Sequence, residues 1–262
     1  SFGWQSGYWF SGGLILLICL PLVILLAVRS PEEKNMFPLK HADKQTAASD
    51  GSSLHEDPIH IAGLTLNELR SMPSFWIFFI TMFLLCLVVG GSQLTIVAYF
   101  RELGHSPEFS ALMFSIQALG MLVGKLGLGA FFDRFGARRG ILLAITALAV
   151  TMIGYLNAAS VTVALVSSVL VGMAASMTTV GNAYLTGNFF GSKDFGNVYG
   201  LVNVTMITGA TTGPLVTNLI YDRTGSYSLA WMSFLVLAVL CGISLLSLQT
   251  LFYKKLMRQK MA

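Results

Sequence analysis

An all-α integral membrane protein follows from three features of the 262-residue sequence: 55% of residues are hydrophobic, only 11% are charged, and the apolar residues fall into long runs. A soluble domain carries about a quarter charged residues, so this chain cannot clothe a water-exposed surface. Mean hydropathy is +0.72. The 26 glycines suit membrane helices that pack closely. A soluble enzyme and a disordered chain are both excluded.

Seven runs of span length occur at 5–28, 74–99, 109–132, 140–158, 161–185, 197–220 and 228–251. A span needs about 20 apolar residues, so these predict seven transmembrane helices. Lys125 is the single charge inside them. Between the first two runs lies a polar stretch, 29–73, with Pro31, Pro38, Pro58 and the run Gln45 to Ser53. Its composition is that of a flexible linker. Leu64 to Arg70 is amphipathic and predicts a short interfacial helix leading into the second run. Cys19, Cys86 and Cys241 all lie in apolar runs with no paired spacing, which indicates neither disulfides nor zinc.

Basic residues orient the chain. With the linker inside, Arg29, Lys34, Lys40, Lys44, Arg70, Arg134, Arg138, Arg139, Lys193, Lys254, Lys255, Arg258 and Lys260 are all cytoplasmic, against Arg101 and Arg223 outside. Lys and Arg favour the cytoplasmic side, so the linker and the basic tail face the cytoplasm. The tail then meets anionic lipid, and nucleic-acid binding is not implied by the net charge of +4. No basic leader precedes the first run. An odd span count with the amino end outside and no export signal reads as a fragment.

An internal repeat is the most informative pattern. Leu119-Gly120-Met121-Leu122-Val123-Gly124-Lys125-Leu126 with Phe132-Asp133-Arg134-Phe135-Gly136 is echoed by Thr208-Gly209-Ala210-Thr211-Thr212-Gly213-Pro214-Leu215 with Tyr221-Asp222-Arg223-Thr224-Gly225, after a shift of 89 residues. Three spans separate the copies, so the second is inverted across the membrane. Inverted three-helix repeats mark alternating-access carriers. Gly120 and Gly124, like Gly209 and Gly213, remove side chains from one helix face and permit close contact, whether static or sliding.

The segment Gly124 to Arg139, Gly-Lys-Leu-Gly-Leu-Gly-Ala-Phe-Phe-Asp-Arg-Phe-Gly-Ala-Arg-Arg, resembles the loop signature of the major facilitator superfamily. Phe2-Gly3-Trp4 with Tyr8-Trp9-Phe10 resembles the entry to that family's sixth helix. The resemblance implies a last N-terminal-bundle helix over 1–28, a central cytoplasmic loop over 29–73, a six-helix transporter bundle over 74–252 and a basic cytoplasmic tail over 253–262. It also implies a missing N-terminal six-helix half. Tyr184 to Gly191 with Phe195-Gly196, and Tyr221 to Tyr227, are similar to the oxalate:formate antiporter and monocarboxylate transporter branch.

Lys125 lies eight residues before Asp133, about 12 Å up a helix. A lysine at that depth is costly without water, a partner or a ligand. It either neutralises a substrate carboxylate or snorkels to the interface. The resembling branch places an arginine at this distance and uses it for the anion. Its oxalate carriers carry a second cation where Met206 stands here after Tyr199-Gly200, so a monocarboxylate is expected rather than a dicarboxylate. Thr178 with Asn182, and Thr205, Thr208 and Thr212, form polar faces. They line the cavity or bond back to their own helices. Gln93 and Tyr99 are weaker candidates. Asp133, Arg134, Arg138 and Arg139 are expected to gate one side, and Asp222 and Arg223 the other. Asp194 beside Lys193 reads as a solvated loop pair.

His41, His55 and His60 fall in the linker and His105 in an external loop. No span holds an acid, so protons are a candidate coupling ion that these helices do not themselves assign. No nucleophile–base set, phosphate loop or metal constellation is present, and neither an enzyme nor a cofactor is indicated. The function expected is alternating-access transport of a small organic anion. The competing reading is a complete seven-helix receptor, or a non-transporting membrane scaffold. The long first inside loop and the inverted repeat argue against the receptor.

Overall fold

The computed structural model describes residues 4–26, 65–158 and 160–261, in two compact units divided between Asp57 and Pro58. Among these residues the regular structure is helical. The linker, with its histidines, lies outside them up to Leu64, as do the side chains of the basic tail.

In the first unit α1 joins Trp4–Leu14 to Leu20–Leu26 through a π turn at Ile15–Cys19. Its stretch Ser6–Ile24, mean hydropathy 2.0, is long and apolar enough to cross a membrane.

The second unit begins with α2 (Leu66–Arg70). A capping box starts it: the Glu68 N–H donates to Thr65 Oγ1 at 3.4 Å, and the Thr65 N–H donates to the Glu68 carboxylate at 2.8 Å. Leu69 is fully buried, which anchors the short helix. Asp194 does not form the expected solvated pair. Its Oδ2 accepts the Leu66 N–H at 2.9 Å and its Oδ1 accepts from Asn197 Nδ2 at 2.6 Å.

α3 (Pro73–Leu94) starts on a proline, whose missing N–H costs nothing at a helix start. The predicted run 74–99 is not one helix. It breaks at Thr95 (φ −98°, ψ −1°) and resumes as α4 (Ile96–Glu102). The Thr95 hydroxyl donates to the Gly91 carbonyl at 2.6 Å, a local bond that competes with the helical ladder.

α5 (Pro107–Leu156) has 50 helical residues, about 75 Å of helix if straight and more than twice a hydrocarbon core. Gly136, at φ 78° and ψ 171°, turns it back on itself. That backbone region is essentially open to glycine alone. A cavity of about 290 Å³ is lined by Val123, Gly124 and Leu128 of the first arm, by Leu143, Ala144 and Ala147 of the second, and by Leu170 and Met173 beyond. The arms are therefore antiparallel.

α6 runs Val161–Phe190 with a π turn at Met177–Gly181. α7 (Phe195–Thr224) ends at Gly225, which is left-handed at φ 69°. α8 (Ser228–Met261) continues helically through the tail expected at 253–262. Among the described residues five helices meet the length and hydropathy a span requires: Ser6–Ile24, Pro73–Leu94, Pro107–Leu156, Val161–Phe190 and Ser228–Phe252. α7 is not among them, its threonines and asparagines lowering its hydropathy.

Two helix pairs run parallel. Gly120 and Gly124 of α5 lie on the backbone of Val169 and Met173 of α6. Gly209 and Gly213 of α7 lie on the carbonyls of Phe83 and Leu87 of α3. The second arm of α5 runs against α6, with Gly154 on Ser167, and Gly242 of α8 meets Ile145 of that arm.

Aromatic rings close both ends of this unit. Tyr99, Tyr155 and Trp231 have centroids 5.1–5.4 Å apart at one end. At the other, Phe78 meets Phe189 and Phe190 at 5.7 and 5.4 Å, and Phe252 stacks on Phe189 at 5.1 Å.

Candidate functional site

Lys125 follows Gly124, whose face is taken up by α6, so the lysine points about 100° around the helix from that contact. Its side chain is half-buried. Among the described residues no carboxylate lies within 4.0 Å of it. Thr178 sits at a similar level on α6, because Gly124 meets Ser176. Its hydroxyl donates to the Ala175 carbonyl at 2.7 Å inside the π turn. Asn182, just past that turn, is fully buried. Its Oδ1 accepts from the Thr186 hydroxyl at 3.1 Å, while its Nδ2 has no partner.

The α7 threonines form a graded edge: Thr205 is buried, Thr212 half-buried and Thr208 exposed. Each hydroxyl donates to its own helix, at 3.3, 2.7 and 2.9 Å respectively. A hydroxyl so committed offers lone pairs outward, not its proton. These side chains therefore present acceptors, while Lys125 and the Asn182 amide present donors. Gln93 is half-buried on α3, near the level of Thr212, since Gly213 meets Gly91. Lys125 and Thr178 thus stand at a similar level on α5 and α6, and Gln93 and Thr212 on α3 and α7. Tyr99 is buried in the aromatic cluster and donates its hydroxyl to the Tyr155 carbonyl.

Asp133, Arg134, Arg138 and Arg139 are exposed around the Gly136 turn. The Arg134 and Arg139 guanidiniums lie 5.4 and 5.8 Å from the Phe135 ring centre. Asp133 pairs with no cation among the described residues. Asp222 and Arg223 are exposed ahead of Gly225. His105 stacks on Phe109 at 4.4 Å. Outside the spans, the Thr65 N–H and hydroxyl hold the Glu68 carboxyl below its ordinary range, and burial raises that of Glu102. No group of three or more metal-ligating side chains occurs among the described residues.

Sequence reasoning missed Gln117 and Ser168. Both are buried, at 5% and 0% exposure, and Gln117 Oε1 and Ser168 Oγ lack partners. The signal was available, since Gln117 is the one amide in the run 109–132.

The repeat extends to the backbone. Among the described residues the glycines at positive φ are Gly104, Gly136, Gly191 and Gly225, and Gly136 and Gly225 are related by the same shift of 89 residues as the sequence motifs. Phe83 and Leu87 stand 86 residues before Val169 and Met173. By that register the break at Thr95 falls opposite Gly181, where the π turn ends. In a comparison with known families, residues 80–260 match the family described as Major Facilitator Superfamily. No curated protein matches the chain.

Proposed function

Because the chain belongs to the Major Facilitator Superfamily, whose members are membrane transporters, we propose that it carries a small organic anion, a monocarboxylate, by alternating access. The observation that carries this reading is Lys125: a half-buried cation within a membrane helix with no carboxylate partner among the described residues. A charge at that depth costs several kcal/mol unless compensated, and a cargo carboxylate compensates it. With α1, α3, α6 and α8, the two arms of α5 and the long helix α7 fit the sixth helix and 3+3 inverted C-terminal bundle of a twelve-helix carrier. The α2 end and the tail face the cytoplasm in this reading, as their basic residues favour.

The cargo meets the ammonium of Lys125 and is flanked by Thr178, Asn182, Thr205, Thr208, Thr212 and Gln93. Back-bonded hydroxyls accept from a hydroxyl on the cargo while Lys125 takes its carboxylate. Asp133, Arg134, Arg138, Asp222 and Arg223 gate the two ends by exchanging charge contacts between access states. The break at Thr95 and the π turn at Met177–Gly181 supply bending points, since helices bend where the ladder is interrupted. Transport is by antiport or proton symport.

The test is uptake of radiolabelled carboxylates into proteoliposomes. Lys125→Gln is expected to abolish uptake and Lys125→Arg to retain part of it. Unchanged uptake by the Gln variant sinks the reading and returns Lys125 to a snorkelling role.

A further inference from the structure

Six buried hydroxyls in this fold, those of Thr81, Ser92, Thr95, Ser110, Thr151 and Thr217, each donate to a carbonyl four residues back in the chain, at 2.6–3.0 Å. Ser168, fully buried in α6, makes no such bond. Gln117 of α5 is 95% buried and leaves Oε1 without a partner. Both residues lie on the α5–α6 seam. Gly172, one turn after Ser168, would drive a Cβ into the Gln117 carbonyl, and Gly120, one turn after Gln117, packs on Val169. The parallel register therefore puts Ser168 and Gln117 at about one level, each on the face that its helix turns to the other. Since both polar atoms are unpartnered, they do not bond one another.

An unpaired polar group in hydrocarbon costs several kcal/mol, so two facing ones require a shared partner. Helix backbones in contact leave no room for an organic cargo, and both side chains are buried. We infer that the seam binds water: a molecule that donates to Gln117 Oε1 and accepts from the Ser168 hydroxyl. Buried waters of this kind typically make two to four hydrogen bonds to otherwise unsatisfied groups.

The repeat supplies an internal comparison. Gln117 corresponds to Met206 and Ser168 to Met82, both buried in the α3–α7 seam. One seam is wet and its counterpart is dry. Sliding α5 along α6 exchanges water contacts, while sliding α7 along α3 shears close-packed thioethers. The inference goes beyond the carrier reading and does not depend on the cargo.

The test is radiolytic footprinting in ¹⁸O-labelled water of the full chain in lipid bilayers. Met113 and Met121 flank Gln117, and Met82 and Met206 report on the opposite seam. The expected result is labelling of Met113, as deeply buried as Met82, severalfold above that of Met82 and Met206. The double variant Gln117→Met, Ser168→Ala is expected to abolish that excess, and Ser168→Ala alone to reduce it. Equal labelling of the two seams in the wild-type chain overturns the inference. So does an excess that is undiminished in the Ser168→Ala chain, which keeps the test decisive if the double variant does not fold.

Discussion

In the α5–α6 pair, Gly120 and Gly124 rest on the backbone of Val169 and Met173; in the α3–α7 pair, Gly209 and Gly213 rest on that of Phe83 and Leu87. The two contacts are alike because the same spacing of glycines puts bare backbone against a neighbouring carbonyl. What fills the space beside them is not alike. Lys125 corresponds to Pro214, Gln117 to Met206 and Ser168 to Met82. Backbone geometry is thus shared between the halves while the side chains at these matched positions differ in polarity. A symmetric scaffold can move symmetrically, yet at these matched positions the charged and hydrogen-bonding side chains sit on α5 and α6.

The largest expected effect tests whether the seams are equivalent. Gly120→Leu and Gly209→Leu each force a side chain into a carbonyl, a cost of about 3 kcal/mol or more because two backbones must separate. Both variants should lose monodisperse protein on size-exclusion chromatography to the same degree. Tolerance of one but not the other breaks the equivalence.

The turn glycines sharpen the comparison with a smaller effect. Gly136 (φ 78°, ψ 171°) is in a region that side chains avoid, whereas Gly225 (φ 69°, ψ 12°) is left-handed helical. Gly136→Asn is expected to lower stability by about 2 kcal/mol. Gly225→Asn should cost about 1 kcal/mol or less, because asparagine tolerates that region. Thermal unfolding in detergent measures both, and equal losses would show that the two turns are constrained alike.

The smallest effect concerns α2, which has no counterpart in the repeat. Asp194→Ala removes the acceptor of the Leu66 N–H, so hydrogen exchange over residues 65–70 should quicken. Acid should do the same. The Glu68 carboxyl titrates below its model-compound value of 4.5, so its support for α2 is complete above that pH and is lost as the pH falls through the folded-state value. Glu68→Gln should remove this acid response. An exchange rate in wild type that is flat from neutral pH to below pH 4, after correction for intrinsic exchange, contradicts it.

Much of the fold was legible because a bilayer is a simple solvent: it demands long apolar runs and internally bonded backbone. The runs predicted at 109–132 and 140–158 fall on the two arms of α5, and Phe132 to Gly136 reads as their turn because glycine there interrupts a helical pattern. The run 74–99 misled, since nothing in its hydropathy marks Thr95 as a break. The π turn at Met177–Gly181 was equally silent, because one extra residue in a turn leaves composition unchanged. Among the candidate residues, Lys125 stood out by its charge in an apolar run. Whether a threonine's proton is free or given to its own helix is a matter of rotamer, and periodicity carries no information on rotamers.

The sequence by itself determined that the chain is helical and membrane-embedded, where its polar segments interrupt it, and that it repeats after 89 residues. Those properties depend on composition and order, which the bilayer and the helix period read locally. Only the tertiary structure decided that Gly124 lies on Met173 and Gly213 on Leu87, that Asp194 ties down α2, and that Gln117 and Ser168 are each buried with an unpartnered polar atom. Such facts rest on which helices become neighbours and in what register. Those are set by packing between segments far apart in the chain, which no local pattern contains.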